Sequence, residues 1–464
     1  MQRVMGILYK FLPFFLGVYS YYPVFVERGS PYPILDAIYT SIRLYSGYTE
    51  SGVRVGGLLQ LARFLALAAT LSILIGALNK MTDVINWFKL LLPNATVVYG
   101  TSSCANCVLE SLNRRIRIRG EGKFIKNASR YVLMFPSDAE NLEFYNRYYE
   151  WLKDKNVYMM LENISRQNIE NPRITVFSIA ENCARQYWRS HPVLRNERIA
   201  IIGFENVGQN ILLYGLQVNL IDPEQHFEYH IYGDGTAFRR EHTELDQMKP
   251  DEIVFHDDGL YSYAELSAFD RVILCGSRDE NCNIEAVSKL LVSAPNSLQI
   301  HIYAPNGDII TNLFGSSRLV CFGAAEETAS ADMIFNERSM EAARRQHEFY
   351  FKKYGGTPWE KLDAFKRYSN VSSSDYMFVI DRLLRQGISE EKAAELEHIR
   401  WCRYHYIHNW KYAPETDAAR RLHNCLLPFS QLSEAEKLKD VEAIRSKREE
   451  QGQTDDSGGG RSLP

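Results

Sequence analysis

The stretch from Leu58 to Leu78 constrains this chain more than any other. Its core, Phe64 to Leu78, is apolar apart from Thr70 and Ser72. A run approaching the ~20 residues of a bilayer core spans a membrane or is buried outright. Val4 to Val26 is a second such run, broken by Lys10 and Pro13. It is too aromatic for a signal-peptide core, and no small-residue cleavage site follows it. The sequence therefore predicts two spans, about 4–26 and 58–78. Arg63 lies just inside the second and must snorkel, pair or face water. Arg3 precedes the first span, and Lys80 and Lys89 follow the second, which puts both ends in the cytosol and 27–55 outside.

Charge divides the chain in the same way. Residues 1–100 carry eight Lys or Arg against four Asp or Glu, and the net charge of the whole chain is −4, which leaves −8 for the remainder. That balance argues against a nucleic-acid partner. The 464 residues allow two to four domains. Of eight cysteines the only close pair is Cys104-Ala-Asn-Cys107, with no second pair at zinc-site spacing, so buried free thiols and no metal are expected.

Between the spans, Pro31 and Pro33 open a loop in which Ile34 to Leu44 predicts a short helix. Tyr45-Ser46-Gly47-Tyr48-Thr49-Glu50 follows, then Gly52, Gly56 and Gly57. Irregular backbone at membrane depth survives only inside protein or against water. Span, short helix, loop and span together resemble the two-span pore module of tetrameric potassium channels. The family filter reads Thr-Val-Gly-Tyr-Gly and then Asp. The resemblance implies a pore loop over 31–52, with Tyr45, Ser46, Gly47, Tyr48 and Thr49 as the selectivity filter and Glu50 as the following acid. Thr49 stands where the family has its second glycine, which puts strict potassium selectivity in doubt.

After Pro93 the pattern changes. Apolar runs at 96–103, 131–135, 157–161 and 174–179 alternate with helix-like segments, and the alternation restarts at 198–216, 228–235, 271–277 and 298–304. This is the pattern of parallel sheets with crossover helices. It predicts two doubly wound α/β units, 93–196 and 197–350. In the second, Gly203 and Gly208 bracket a strand-to-helix turn, and Asp234 ends the next strand, as in a dinucleotide fingerprint. Glu205 occupies the middle glycine position, where a carboxylate repels pyrophosphate. With no acid/base constellation elsewhere, an enzyme is not expected. The tandem units, with Glu181 to Trp188 and Phe269 to Asn283, resemble regulator-of-potassium-conductance domains, RCK or TrkA-N modules. That resemblance implies nucleotide or ion binding at Gly203, Glu205, Gly208 and Asp234, and Asn79 to Leu92 as the link to the pore.

From Thr357 helices are expected, with Thr357 as N-cap, Pro358 at the first position and Glu360 reaching back. On a helix from Glu390, Glu397, Trp401, Tyr404 and His408 share a face. Glu397-His398, Arg400-Trp401, Trp410-Lys411-Tyr412, Leu426 with Pro428-Phe429, Leu432 and Lys439-Asp440 resemble the ryanodine-receptor (RyR) domain over about 388–445, with Asn409 where that pattern has glycine. Aromatic faces there can stack a base and cations can meet phosphate. The ligand-binding candidates are Glu397, Arg400, Trp401, Tyr404, Trp410, Lys411, Tyr412, Lys439 and Asp440, with Arg403 a further phosphate candidate. Ser433 and Glu436 are expected to cap a last helix, and the tail, 446–464, is expected to be disordered.

Together the resemblances imply a multidomain protein: a pore module at 1–92, two Rossmann-like units, and a small all-α RyR domain in a helical region at 357–445. The expected function is a homotetrameric, ligand-gated cation channel of a prokaryotic inner membrane, two-pass, with both termini and the sensor domains cytoplasmic. Its ligand is expected to be an adenine, cyclic or NAD-derived nucleotide, and its cargo potassium or another monovalent cation. The rival expectations are a membrane-disrupting effector, a pore-less regulatory subunit and a membrane-anchored NAD(P)-dependent enzyme.

Overall fold

A computed structural model of the chain describes residues 2–164, 169, 171–256, 266–276, 280–305, 307–335 and 337–457. Part of the stretch Phe269 to Asn283 (Ser277, Arg278 and Asp279) and the end of the tail, 458–464, lie outside the described residues. The chain divides into two compact units, Met1–Leu92 and Pro93–Pro464.

The first unit is α1 (Gln2–Glu27), α2 (Pro33–Arg43) and α3 (Gly57–Leu90). Pro33 starts α2 where a missing N–H costs nothing. Gly17 of α1 lets α2 lie close: a Cβ there would meet Ser41 Oγ at 2.7 Å and Leu44 Cδ1 at 2.9 Å. Ala37, Ala62 and Ala66 continue the small-residue seam, and all three are buried. Phe11, Phe15, Phe64, Leu67 and Leu71 are exposed. Among the described residues one helix is long and apolar enough to cross a membrane, at Gly57–Leu74. The two-span expectation thus has one such helix behind it. Helix α1 contains Pro13 and Pro23, and Lys10, Ser20 and its tyrosines dilute its apolarity. Helix α3 is unbroken to Leu90, so the expected span and the expected link from Asn79 are one element.

The second unit opens with β1 (Thr96–Tyr99), α4 (Ser103–Ser111), β2 (Arg117–Gly120), β3 (Arg130–Leu133), α5 (Asp138–Arg147), α6 (Tyr149–Leu152), β4 (Asn156–Met160), β5 (Ile174–Phe177) and α7 (Ile179–Ser190). The five strands are parallel in the order β2-β1-β3-β4-β5. This 2-1-3-4-5 order is flavodoxin-like, so the first α/β sheet is doubly wound but differs in topology from the sheet that follows it.

Next come β6 (Arg198–Ile202), α8 (Asn206–Val218), β7 (Glu228–Tyr232), α9 (Thr236–Glu241), β8 (Glu252–His256), β9 (Arg271–Leu274), α10 (Glu280–Ser293), β10 (Gln299–Tyr303), α11 (Gly307–Phe314) and β11 (Leu319–Phe322). These strands run β11-β10-β9-β6-β7-β8, all parallel. Counted within this sheet the order is 3-2-1-4-5-6, the dinucleotide-binding arrangement. Its central strands are apolar on both faces, as a covered parallel sheet requires.

Two short helices, α12 (Ala325–Thr328) and α13 (Ala331–Phe335), then return to the first sheet. There Ala329, Ala331 and Ile334 share a core with Val98, Val108 and Val132. The helical region consists of α14 (Glu337–Tyr354), α15 (Ala364–Arg385), α16 (Glu390–Ile407) and α17 (Glu434–Ser457), with a small ladder of β12 (Lys411–Tyr412) and β13 (Leu422–His423). The expected cap at Thr357 is corrected. Asp363, accepting from Lys366 N at 2.8 Å, caps α15, while Trp359–Lys361 form only a 3-10 turn. Ser433 does accept from Glu436 N, at 3.3 Å, as expected. Helix α17 continues to Ser457, into the expected disordered tail, because Glu, Lys, Arg and Gln over 446–453 are good helix formers.

Candidate ligand site

The strand order of the second sheet reverses between β6 and β9, and ligands of open α/β sheets bind outside the carboxyl ends at such a point. Gly203, at φ +85°, turns the chain there, and a Cβ on it would meet Gly276 N at 2.8 Å. Gly208, in the first turn of α8, has its α-carbon against the Gly203 carbonyl, so a Cβ would meet that oxygen at 2.3 Å. Glu205 is the N-cap of α8 without a side-chain cap bond, and it is exposed. Its carboxylate stands at the positive end of the helix, where a phosphate would otherwise go. Asp234 lies two residues past the end of β7 and is exposed; Oδ1 accepts from Thr236 N at 2.9 Å, and that bond holds the carboxyl below its ordinary range. The structure thus brings Gly203, Glu205, Gly208 and Asp234 to one edge of one sheet.

The carboxyl end of the first sheet approaches the start of α8. Asp138 accepts from Glu162 N and Asn163 N, both at 2.9 Å. Glu162 accepts from Ser178 Oγ at 2.6 Å and Ile179 N at 2.7 Å, which caps α7. Asn206 at the start of α8 reaches Asn163 at 3.4 Å. Burial raises the Glu162 carboxyl against those lowering bonds.

The RyR candidates are largely committed to the interior. Arg400 is 1 % exposed and forks onto Glu397 at 2.8 and 3.0 Å; Glu397 also accepts from Ser373 at 2.5 Å. Arg403 is 2 % exposed and donates to Asp251 Oδ2 at 2.6 Å, Leu216 O at 3.0 Å and Met248 O at 3.0 Å. The Arg403 guanidinium is therefore an internal tie to the second sheet, which corrects its reading as a phosphate contact. Tyr404 is buried and donates to Phe365 O at 2.9 Å. Trp410 is buried and stacks on Phe365 at 5.2 Å. Lys411 pairs with Glu244 at 2.9 Å, Lys439 with Glu436 at 2.6 Å, and Tyr412 is exposed. Trp401 is half-buried, with His405 at 4.0 Å and His423 at 4.9 Å between ring centres. Burial drives the His405 imidazole down to about 3.

Asp440 lies 3.6 Å from His398 Nδ1, and His398 Nε2 is 2.8 Å from the Leu427 carbonyl. Burial opposes the charge, but the Asp440 carboxylate, the Cys402 sulfur at 3.4 Å and the Leu427 carbonyl favour the imidazolium and lift His398 to about 10. Asn409 takes φ +60°, a left-handed geometry asparagine tolerates, which explains why the pattern has glycine there. His423, Phe365, Ser373 and Asp251 shape this region and are not evident from the sequence, because each comes from a distant segment with no periodic signal.

In the N-terminal unit, Leu44–Ser46 form a 3-10 turn and Gly47 follows at φ +78°. The Arg43 and Leu44 carbonyls accept from Tyr48 N and Gly47 N, and Thr70 Oγ1 donates to the Tyr45 carbonyl at 2.8 Å. The Arg43 guanidinium sits 3.3 Å from the Tyr48 ring centre and 3.9 Å from Glu50. Thr49 Oγ1 is buried with no hydrogen-bond partner among the described residues. Of the five expected filter residues, Tyr45 thus has its carbonyl bonded within the protomer.

A family model for the RyR domain matches residues 385–447. No curated protein matches the chain. Among solved structures, the chain is similar to the crystal structure of the D-isomer specific 2-hydroxyacid dehydrogenase from Lactobacillus delbrueckii ssp. bulgaricus in its NAD complexed form. The identity is 10 %, the match covers 63 % of this chain and 98 % of that one, and the TM-score is 0.22, too low to build on.

Proposed function

We propose that the chain is a membrane channel gated by a nucleotide-type ligand, assembled as a homotetramer with spans at 4–26 and 58–78 and with the RCK-like and RyR regions on the cytoplasmic side. The observation that carries the ligand half is the glycine turn Gly203–Gly208 at the reversal of strand order, with Asp234 beside it to accept from a ribose hydroxyl. Glu205 disfavours a pyrophosphate against that turn, so a nucleoside, monophosphate or cyclic nucleotide fits better than an intact dinucleotide. Support for the membrane half comes from the apolar helix Gly57–Leu74 and its continuation into the chain segment that enters β1. Ligand binding that differs between two states of the body shifts their populations, and α3 carries the change to the pore. No catalytic step is part of this reading.

A second reading is favoured by the loop geometry. With the Tyr45 carbonyl bonded to Thr70 and the Tyr48 ring held against Arg43, the same sensor fits an effector that opens the membrane without a selective filter. Potassium and sodium flux from liposomes carrying the full-length protein, with adenine, cyclic and NAD-derived nucleotides added in turn, tests both. Selective flux switched on by one nucleotide is the expected result. Dye leakage without ion preference favours the effector, and silence despite measurable nucleotide binding overturns the channel.

A further inference from the structure

We infer that β8 is a dimerisation edge: a second copy of this chain pairs with it antiparallel about a two-fold axis at Val254, making one continuous sheet from two. β8 closes the second sheet on one side and pairs only with β7 among the described residues. Glu252 N donates to Phe227 O at 2.8 Å, so the backbone groups of 252, 254 and 256 face β7. Those of Ile253 and Phe255 face outward, and no backbone group of the described residues bonds them. Beside the strand runs an open cavity of about 390 Å³, lined by Arg239, His242, Leu245, Lys249, Ile253 and Phe255.

The strand is complementary to itself in the register centred on Val254. Antiparallel pairing centred on Val254 sets Ile253 opposite Phe255 of the second copy, and those are the residues with outward N–H and C=O groups. About four backbone hydrogen bonds close in that register, two for each such pair. Ile253 against Phe255 is a favourable cross-strand pair of branched and aromatic side chains. Glu252 falls opposite His256, which puts a carboxylate beside an imidazole at each end of the ladder. A shift by one residue would direct the outward groups of one strand at the wrong phase of the other and would put Glu252 against an apolar side chain. Such a two-fold contact is isologous and closes at two copies, so it forms no fibre. It does not depend on the channel reading.

The test uses full-length protein with Val254→Cys under a mild oxidant, read on a non-reducing gel. Residues directly opposite at a non-hydrogen-bonded antiparallel pair sit about 4.5 Å apart between α-carbons, within disulfide reach. A disulfide-linked dimer is expected, at least roughly tenfold above that of wild type or of Ile253→Cys, whose partner in this register is Phe255. Adding Ile253→Pro to Val254→Cys should abolish the crosslink, because it removes an outward N–H that the strand's own ladder does not use. Crosslinking no greater than wild type would overturn the second copy as occupant and leave the edge to a peptide of another protein. Equal crosslinking through Ile253→Cys would overturn the register.

Discussion

The carboxyl edge of the second sheet and the α16 face of the RyR region both concentrate residues that ligands use, but they leave them in opposite states. At the sheet edge Glu205 and Asp234 are exposed, and the backbone is drawn tight around two glycines. On α16, Arg400 and Arg403 are buried, Arg400 donates to Glu397 and Ser372, and the two terminal nitrogens of Arg403 donate to Asp251 and to carbonyls. A buried cation must be paired, and an arginine stem is long enough to find its partners in another element. The same residue types therefore serve as a docking surface in one place and as an internal fastening in the other. Only the fold distinguishes them.

Removing the fastening gives the largest expected effect. Arg403→Met leaves Asp251, fully buried, without its counter-charge and should cost about 3–5 kcal/mol. Denaturant unfolding followed by tryptophan fluorescence measures it. Asp251→Asn combined with Arg403→Met should recover part of the loss, since no lone charge then remains inside. A stable Arg403→Met protein with weakened nucleotide binding would place this guanidinium at a ligand and erase the contrast. Gly208→Ala is the matching change at the sheet edge. Its methyl group would press on the Gly203 carbonyl, and a loss of about 1–3 kcal/mol is expected, together with loss of nucleotide binding by isothermal titration. Binding that survives unchanged would move the ligand elsewhere.

The buried face also predicts a pH dependence. His398 lies above its ordinary 6.5, near 10, so its stabilisation is full below about 6.5 and fades as pH rises toward 10. The stability gap between wild type and His398→Gln should therefore narrow from pH 6 to pH 10. A gap that widens with pH would mean the imidazole is neutral in the fold.

What could be read from the chain follows from how each element is buried. The central strands β1, β3, β4, β6, β9 and β10 appear as apolar runs because both their faces are covered. The three strands with no signal, β2, β8 and β11, are all sheet edges. They are four or five residues long, and β2 and β8 carry charge, Arg117 and Arg119 in one and Glu252 in the other. A short strand interrupted by charge carries too little apolar pattern to stand out in the sequence. The turn at Gly203 and Gly208 was legible because a left-handed φ and a close backbone approach both demand glycine. The tie between Arg403 and Asp251 spans more than 150 positions of sequence and leaves no local pattern. The flavodoxin-like order of the first sheet was hidden for the same reason, since strand alternation gives the class of a sheet but not the sequence in which its strands lie side by side.

The buried Arg403 has a consequence for what counts as a part of this protein. Residues 385–447 recur as a recognisable cassette in sequence, yet the face of α16 that looks toward α8 is finished only by groups belonging to Leu216, Met248 and Asp251. Cut out alone, the cassette would expose a guanidinium set in a greasy surface. The inherited piece and the piece that folds have different borders, so swapping this cassette between proteins means carrying its socket along with it.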